Sequence, residues 1–263
     1  MDILTAFSRM AADMDKNIDQ EIDIDQIMTS ELKGIIDYSL WQETIKIQES
    51  LNDSVAPGWK EDKEQRKYDF WMAILDETTE VLNSRHWKWW KDSNKMGNVD
   101  WDNVRVELID LFHFILSIAI QHDSSSIIFA QLANLETNKD RLKEPRDEHF
   151  FEDFWQMFLM SLHTKNLPVI AVYWCDFWYR AGGDVNELFM EYRIKAALNK
   201  IRQEFGYGAK NTYQKLWVDK DTGAMVEDNV MAWKLAQDVE LNKDTVETMT
   251  NKLRDYYLEN VEI

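Results

Sequence analysis

Residues 104–116 read Val-Arg-Val-Glu-Leu-Ile-Asp-Leu-Phe-His-Phe-Ile-Leu, and no other segment constrains the architecture of this chain as strongly. Wound as a helix, the segment is apolar around almost its whole circumference, which predicts packing against neighbours on most sides. Two acids, Glu107 and Asp110, interrupt it three residues apart and therefore share one helix face. A buried carboxylate is unfavourable unless it is protonated, paired with a cation or bound to a metal ion. By itself the segment leaves metal binding and a buried ion pair as equal interpretations.

A second acidic pair, Glu77 and Glu80, repeats this spacing in the preceding helical pattern at about residues 68–86. Taken alone, such a pair is typical of a solvated helix face. Two pairs on neighbouring helices favour the metal interpretation, because four carboxylates form the oxygen-rich environment that Mg²⁺ accepts when substrate phosphates complete its coordination. His113 lies one turn beyond Asp110. Four hard oxygens and one imidazole fit Mg²⁺ better than a transition metal, which leaves His113 as a ligand contact.

The composition indicates a helical protein with no general affinity for nucleic acid. The 263 residues include only 8 Gly and 3 Pro, fewer than a β-rich chain with many tight turns requires. The formal net charge is −18, whereas nucleic acids and anionic membranes bind to basic surfaces. We therefore expect neither partner. Any phosphate-bearing ligand must be bound locally, by a metal ion or by a few placed Lys and Arg side chains.

The sequence also favours a soluble protein of a reducing compartment. Its first thirty residues contain scattered acids and no continuous apolar block, so neither a secretory signal nor an Arg-rich transit peptide is expected. The longest nearly uncharged apolar stretch, 111–120, is about half the ~20 residues of a membrane span. The single cysteine, Cys175, has no basic neighbour, which is typical of a packed thiol rather than a nucleophile. We expect a cytoplasmic protein and no covalent intermediate.

Helical periodicity, interrupted by short Gly, Pro and Asn clusters, predicts an all-α fold consisting of a helical bundle core with an inserted helical subdomain. The acidic pairs and a later polar helix fall in the bundle core. The predicted division is an acidic N-terminal arm at 1–36, the core at 37–126 and 184–230, the inserted subdomain at 127–183, and a charged, peripheral helical tail at 231–263.

Paired amides form a third cluster. Gln48 and Asn52 are four residues apart and share a helix face. They either cap or solvate a helix end, or match the donor and acceptor edge of a pyrimidine.

Two basic clusters complete the set. The segment 85–91 reads Arg-His-Trp-Lys-Trp-Trp-Lys, which is either an aromatic patch with snorkelling cations or a site for a polyphosphate and a base. Lys195, Asn199 and Arg202 share one face of a later helix. The ordinary explanation for such a face is that its cations pair with surface acids. This explanation becomes weaker when the other clusters are considered together.

Five motifs in this order resemble those of the dimeric, all-α dUTP pyrophosphatases, a family within the all-α nucleoside triphosphate pyrophosphohydrolases. The resemblance covers about residues 40–230, and the two acidic motifs alone would indicate only the superfamily. The motifs are Gln48-x-x-Leu51-Asn52, Glu77-x-x-Glu80, Trp87-Lys-Trp-Trp-Lys91, Glu107-x-x-Asp110-x-x-His113-Phe114 and Lys195-x-x-x-Asn199-x-x-Arg202-Gln203-x-x-Gly206-Tyr207.

The resemblance implies a Mg²⁺-dependent homodimer that hydrolyses dUTP, and also dUDP, to dUMP. It implies that the Mg²⁺ ions are held by Glu77, Glu80, Glu107 and Asp110. Water made more acidic by the metal would be the nucleophile, and Glu77 would accept its proton.

The resemblance also implies roles in substrate binding. Contacts to phosphate oxygens would come from Lys91, Lys195 and Arg202. The uracil would be read, or the sugar held, by Gln48, Asn52 and Asn199. The base and deoxyribose would be enclosed by Trp89, His113 and Phe114.

Two alternatives stay open at this point. The same chemistry on dCTP, or on both dCTP and dUTP, is the first, because an amide can flip to serve either a carbonyl or an amine at C4. The second is a non-catalytic helical interaction protein that retains the scaffold and uses its aromatic residues as a partner surface. Retention of all four acids argues against the second alternative.

Overall fold

The computed structural model describes residues 34–91, 94, 97–139, 149–207 and 212–260. The predicted arm at 1–36 therefore falls almost wholly outside the described residues, as does the stretch 140–148 of the predicted insertion. Helices make up most of the described chain. In chain order they are α1 (Tyr38–Val55), α2 (Phe70–Asn83), α3 (Trp101–Gln121), α4 (Ser125–Asn138), α5 (Phe150–Asp153), a π-helical turn (Phe154–Phe158), α6 (Leu159–Thr164), α7 (Leu167–Arg180), α8 (Val185–Glu204), α9 (Asp228–Ala236) and α10 (Thr245–Asn260).

A small antiparallel hairpin precedes α9. Its strands are β1 (Leu216–Val218) and β2 (Met225–Glu227), with Trp217 opposite Val226. The all-α fold class is confirmed. The hairpin was not expected, because strands of three residues carry too little alternation of polar and apolar side chains to be recognised in a sequence.

Acidic caps explain where the principal helices begin. Asp37, Asp69 and Asp100 precede α1, α2 and α3, and each accepts hydrogen bonds from backbone N–H groups of the first turn. Asp184 and Glu187 form a capping box at the start of α8. Helix α2 accordingly starts within about two residues of the predicted position at about residue 68.

Helix α3 is the centre of the hydrophobic core. Leu108, Leu111, Phe112 and Ile115 are fully buried there, as the apolar pattern of residues 104–116 predicts. The ring of Phe112 stacks on that of Trp174 in α7 at 4.6 Å between centroids. Contacts of α3 with α1, α2, α4, α7 and α8 surround it on most sides.

The connection between α2 and α3 sets their relative position. The Asp100 N–H donates to the Ser84 carbonyl at 2.9 Å, and the Asn103 side-chain amide donates to the Ser84 hydroxyl at 2.9 Å. The C-terminal end of α2 is thus joined to the N-terminal end of α3, and the two helices run antiparallel. Glu77 lies before Ser84 by about as many residues as Glu107 lies after Asp100. The two acids therefore lie at the same level along the axis of the helix pair.

The segment 127–183 and the C-terminal tail both pack on this core. Helices α4 and α7 pack on each other and on α3, so the described part of the predicted insertion shares the core of the bundle. Helix α10 packs along α8 and buries Met249, Leu253 and Tyr257. The expectation of a peripheral tail is therefore wrong, because α10 carries an apolar stripe. Residues 261–263 lie outside the described part of the chain.

Among the residues described, no helix combines the length and the apolar character that crossing a lipid bilayer requires.

Candidate functional site

Three carboxylates converge between α2 and α3. Glu77, Glu107 and Asp110 each place one carboxylate oxygen within 4.8 Å of the oxygens of the other two. Glu107 is buried, and Glu77 and Asp110 are half-buried. The antiparallel arrangement of α2 and α3 makes this possible, because residues equally far from the connection face one another.

Like charges in a partly buried space make ionisation unfavourable here. Burial raises the pKa of Glu77 to about 8, and the charges of Asp110, Glu107 and Glu80 contribute in the same direction. Burial likewise raises the pKa of Glu107 to about 7, with Asp110 adding to the effect and Lys195 opposing it. The cluster therefore has more acidic groups than its own cations neutralise.

Glu80 is not part of this group of three. Its side chain is exposed, although its charge is close enough to raise the pKa values of Glu77 and Glu107. A ligand role for Glu80 therefore stays a prediction.

Lys195 links the carboxylates to α9. Its buried ammonium donates to Asp110 Oδ2 at 2.6 Å and to Asn229 Oδ1 at 3.2 Å. An ammonium has three hydrogens, so these contacts leave one for a further acceptor. The sequence did not predict this contact between Lys195 and Asp110, and their proposed roles stay predictions.

Arg202, two turns after Lys195 on α8, is paired with a fully buried acid. Its Nε and Nη2 atoms donate to the two oxygens of Asp228, each at 2.8 Å. The Tyr213 hydroxyl donates to Asp228 Oδ2 at 2.7 Å. Burial works against both charged forms, yet the mutual hydrogen bonds prevail, so the pKa of Asp228 is lowered and that of Arg202 is raised. Asp228 thus occupies the Nε and Nη2 donors of the guanidinium.

The two amides predicted to share a face form a buried hydrogen-bond network with α3. Gln48 Nε2 donates to Asn52 Oδ1 at 2.9 Å and to the Ser117 hydroxyl at 3.0 Å. Asn52 Nδ2 donates to the same hydroxyl at 2.9 Å. Both amides are thus held inside the protein, and they do not cap or solvate a helix end.

The network continues to His113 and Tyr192. Gln48 Oε1 lies 2.7 Å from His113 Nδ1 and 2.7 Å from the Tyr192 hydroxyl. The imidazole stacks on the Tyr192 ring at 4.4 Å between centroids. Burial lowers the pKa of His113 to about 4, with Lys195 contributing and Asp110 opposing, so the ring is neutral at physiological pH. Its Nε2 atom is buried without a hydrogen-bond partner among the described residues.

The remaining predicted site residues are less closely assembled. Asn199 is half-buried on α8, one turn after Lys195, and Phe114 is half-buried beside Phe70. Trp89 and Lys91 are exposed, and Trp89 contacts the ring of Trp90. The part of the chain described here does not bring Trp89 and Lys91 to the carboxylates, so their roles stay predictions.

Sequence reasoning assigned no role to several residues of the site. Ser117 carried a signal, because it is a polar residue one turn after His113 in an otherwise apolar helix. Tyr192 carried none, since its partners lie on other helices. Asp228 and Asn229 lie beyond the five motifs, and their contacts with Arg202 and Lys195 depend on the packing of α9 against α8.

A cavity of about 390 Å³ lies near the N-terminal end of α3, and its lining includes none of the three converging carboxylates. Asn103, which hydrogen-bonds Glu107, and Asn229, which contacts Lys195, both line it. Its volume falls in the usual range for small-molecule sites.

One family model, described as dUTPase, matches residues 40–207 of the chain. The matched range includes every site residue that the sequence predicts, and it ends before the hairpin and Asp228. No curated protein matches the chain at the level required to count as a relative.

Proposed function

The chain belongs to the dUTPase family and is therefore a dUTP diphosphatase, and from this premise we propose that it uses Mg²⁺ to hydrolyse dUTP, and also dUDP, to dUMP. The observation that carries this proposal is the convergence of Glu77, Glu107 and Asp110 within 4.8 Å of one another, beside the buried ammonium of Lys195.

The residues present fit a divalent cation. Carboxylate oxygens are the ligands that Mg²⁺ prefers, and the raised pKa values of Glu77 and Glu107 reflect burial and mutual repulsion, both of which a bound cation would offset. Glu77, Glu107 and Asp110 would hold the ion, with Glu80 as the fourth predicted ligand. When bound, Mg²⁺ neutralises phosphate oxygens and makes water more acidic.

The side chains of the site then have distinct tasks. Glu77 is half-buried and accepts the proton of the attacking water once it is ionised. Lys195 and Arg202 direct their remaining N–H groups to phosphate oxygens, while Asp110, Asn229 and Asp228 hold them in place. The water attacks a phosphorus beyond the α-phosphate, the bond from that phosphorus to the α-phosphate's bridging oxygen breaks, and dUMP leaves.

Purified protein supplied with Mg²⁺ should convert dUTP to dUMP and pyrophosphate, and dUDP to dUMP and phosphate. EDTA should abolish both reactions, because the acids would lose the cation that offsets their repulsion. UTP should react more slowly if the pocket reads the deoxyribose. Separation of products by anion-exchange chromatography measures all of these reactions. Turnover that persists in EDTA would contradict the metal dependence, and dUDP left intact would restrict the proposal to dUTP.

Binding of Mg²⁺ should release protons. At pH 7, Glu77, with its pKa raised to about 8, is mostly protonated, and Glu107, with its pKa raised to about 7, is about half protonated. A cation binds only the ionised acids, so its affinity should rise as the pH increases through 7 and through the pKa of Glu77 at about 8, and level off only well above that pH. Calorimetric titrations in two buffers of different ionisation enthalpy count the protons released.

Glu77→Gln is the matched control for this count, because it removes one titrating group and keeps the shape of the side chain. It should reduce the number of protons released at pH 7. Equal heats in the two buffers for the unmodified protein would show that the acids are already ionised. That result would contradict the expected release of protons on Mg²⁺ binding.

We also propose that the protein is a cytoplasmic homodimer, as the family resemblance implies. The exposed apolar side chains Met72, Met160 and Val172 on α2, α6 and α7 support an interface between copies. Sedimentation equilibrium should give about twice the 31.3 kDa of one chain. A mass of one chain at micromolar concentration would contradict the dimer.

A further inference from the structure

Ser117 determines which way the two buried amides of the network point. Its hydroxyl lies 2.7 Å from the carbonyl oxygen of His113, 3.0 Å from the Gln48 amide and 2.9 Å from the Asn52 amide. A hydroxyl has one hydrogen, and the carbonyl can only accept, so that hydrogen goes to His113. The other two contacts must then come from N–H donors. Gln48 and Asn52 therefore both turn their nitrogens toward Ser117.

This orientation uses every hydrogen-bonding position of Gln48. Its two N–H groups go to Asn52 and Ser117, and its oxygen accepts from Tyr192 and faces His113 Nδ1. Gln48 has nothing left with which to contact a base directly. Asn52 retains one N–H and one lone pair.

The orientation of Gln48 in turn sets the tautomer of His113. Because Gln48 presents its oxygen at 2.7 Å, the hydrogen of the neutral imidazole must be on Nδ1. Nε2 is then an unprotonated acceptor, and it is the atom that is buried without a partner among the described residues. A buried acceptor without a hydrogen bond is costly, so a ligand that supplies an N–H here is favoured.

The same count of hydrogen-bond donors and acceptors excludes the arrangement in which the amides of Gln48 and Asn52 are both flipped. If both amides were flipped, Ser117 would face three oxygens with a single hydrogen. The Tyr192 hydroxyl would also lose its acceptor, since the next carbonyl, that of Thr44, is 3.5 Å away. Only that reversed arrangement would place a hydrogen on His113 Nε2.

We propose that Ser117 is a positioning residue for base selection, which orients Gln48 and Asn52 so that His113 offers an acceptor to the N3–H of uracil and rejects cytosine. The inference rests on the proposed function. Uracil carries a hydrogen at N3, whereas cytosine carries a lone pair there, so an acceptor facing N3 is matched by the first base and opposed by the second. Sequence alone left this choice open, because a free amide flips without cost.

Ser117→Ala tests the proposal. In this variant, the observed orientation leaves one buried N–H of Gln48 and one of Asn52 unpaired, and the reversed orientation becomes competitive. The ratio of kcat/KM for dUTP to that for dCTP should fall about tenfold, the change that one hydrogen bond of about 1.4 kcal/mol produces. Turnover of saturating dUTP should change less than this ratio, since Ser117 touches neither the carboxylates nor the cations.

Ser161→Ala is the matched control. Ser161 is also a buried helical serine that donates to the carbonyl four residues earlier, that of Met157, at 2.6 Å. It has no contact with the amides, so the ratio should be unchanged. A ratio for Ser117→Ala within twofold of that of the unmodified protein, with both variants folded, would overturn the proposal.

A second measurement needs no variant. Proton-nitrogen correlation spectra of protein labelled with ¹⁵N-histidine identify which ring nitrogen carries the hydrogen. Protonation of His113 at Nδ1 is expected, and protonation at Nε2 would overturn the proposal. This readout is independent of activity. A protein that hydrolyses neither nucleotide in Mg²⁺ would disprove the proposed function, while the spectrum would still decide the orientation of the network.

Discussion

Replacing Asp110 with Ala should lower the rate of dUTP hydrolysis in Mg²⁺ by at least about 10³-fold, equivalent to roughly 4 kcal/mol of barrier. Asp110 is the one carboxylate that both belongs to the acidic cluster and contacts Lys195, at 2.6 Å. Its removal takes away a candidate ligand of the cation and releases the ammonium from its position. Pyrophosphate release at saturating dUTP measures the effect.

Asp123→Asn provides the control for Asp110→Ala. Asp123 lies just beyond the end of α3, is exposed, and has a left-handed backbone with φ of 53°, which Asn tolerates well. The substitution removes one negative charge without touching the acidic cluster. The rate of dUTP hydrolysis should therefore stay within about twofold of that of the unmodified protein. Undiminished turnover of Asp110→Ala would disprove the metal site. Glu80→Ala belongs in the same experiment, because a comparable loss would add the exposed Glu80 to the three converging acids.

Replacing Asp228 with Ala should lower the free energy of unfolding by about 3–5 kcal/mol. Asp228 is fully buried and receives hydrogen bonds from Arg202 and Tyr213. The substitution leaves a buried guanidinium without its counter-charge, which is the costly way to break a buried ion pair. For a chain of this size, the midpoint of thermal unfolding should fall by roughly 10 °C. Differential scanning calorimetry or urea titration measures the loss.

Asp221→Ala shows what the loss of an exposed ion pair costs in the same protein. Asp221 pairs with Lys234 at the hairpin, and its side chain is 74% exposed. Solvent screening limits such pairs to less than about 1 kcal/mol, so this variant should unfold near the midpoint of the unmodified protein. If Asp228→Ala were equally benign, the Arg202–Asp228 pair would not stabilise the fold, and its role in holding Arg202 would need another explanation.

Local sequence patterns accounted for a large part of the architecture. The apolar circumference of residues 104–116 predicted the buried α3, and the spacing of its acids predicted that they share a face. The caps at Asp37, Asp100 and Asp184 are local features of the same kind, although they were recognised only in the structure. Each of these features depends on residues within about one helical turn of each other. A single sequence is therefore sufficient to contain them. The tail was misjudged because charged residues surround the apolar stripe of α10.

The partners of the site residues depended on packing between distant segments. Sequence identified Gln48, Asn52 and His113 as candidates, but not that Ser117 would hold both amides in one orientation. It predicted that Arg202 contacts phosphate oxygens, but not that Asp228 would occupy two of its donors.

The amino-acid sequence alone determined the helical class, the family and the residue types available for chemistry, because periodicity, capping and motif spacing are properties of neighbouring residues. Only the tertiary structure decided that Glu77, Glu107 and Asp110 meet while Glu80 faces solvent, and which hydrogen of the buried network goes to which acceptor. Those outcomes depend on the register between antiparallel helices and on which donors and acceptors of different helices meet. Neither is defined until the chain has folded.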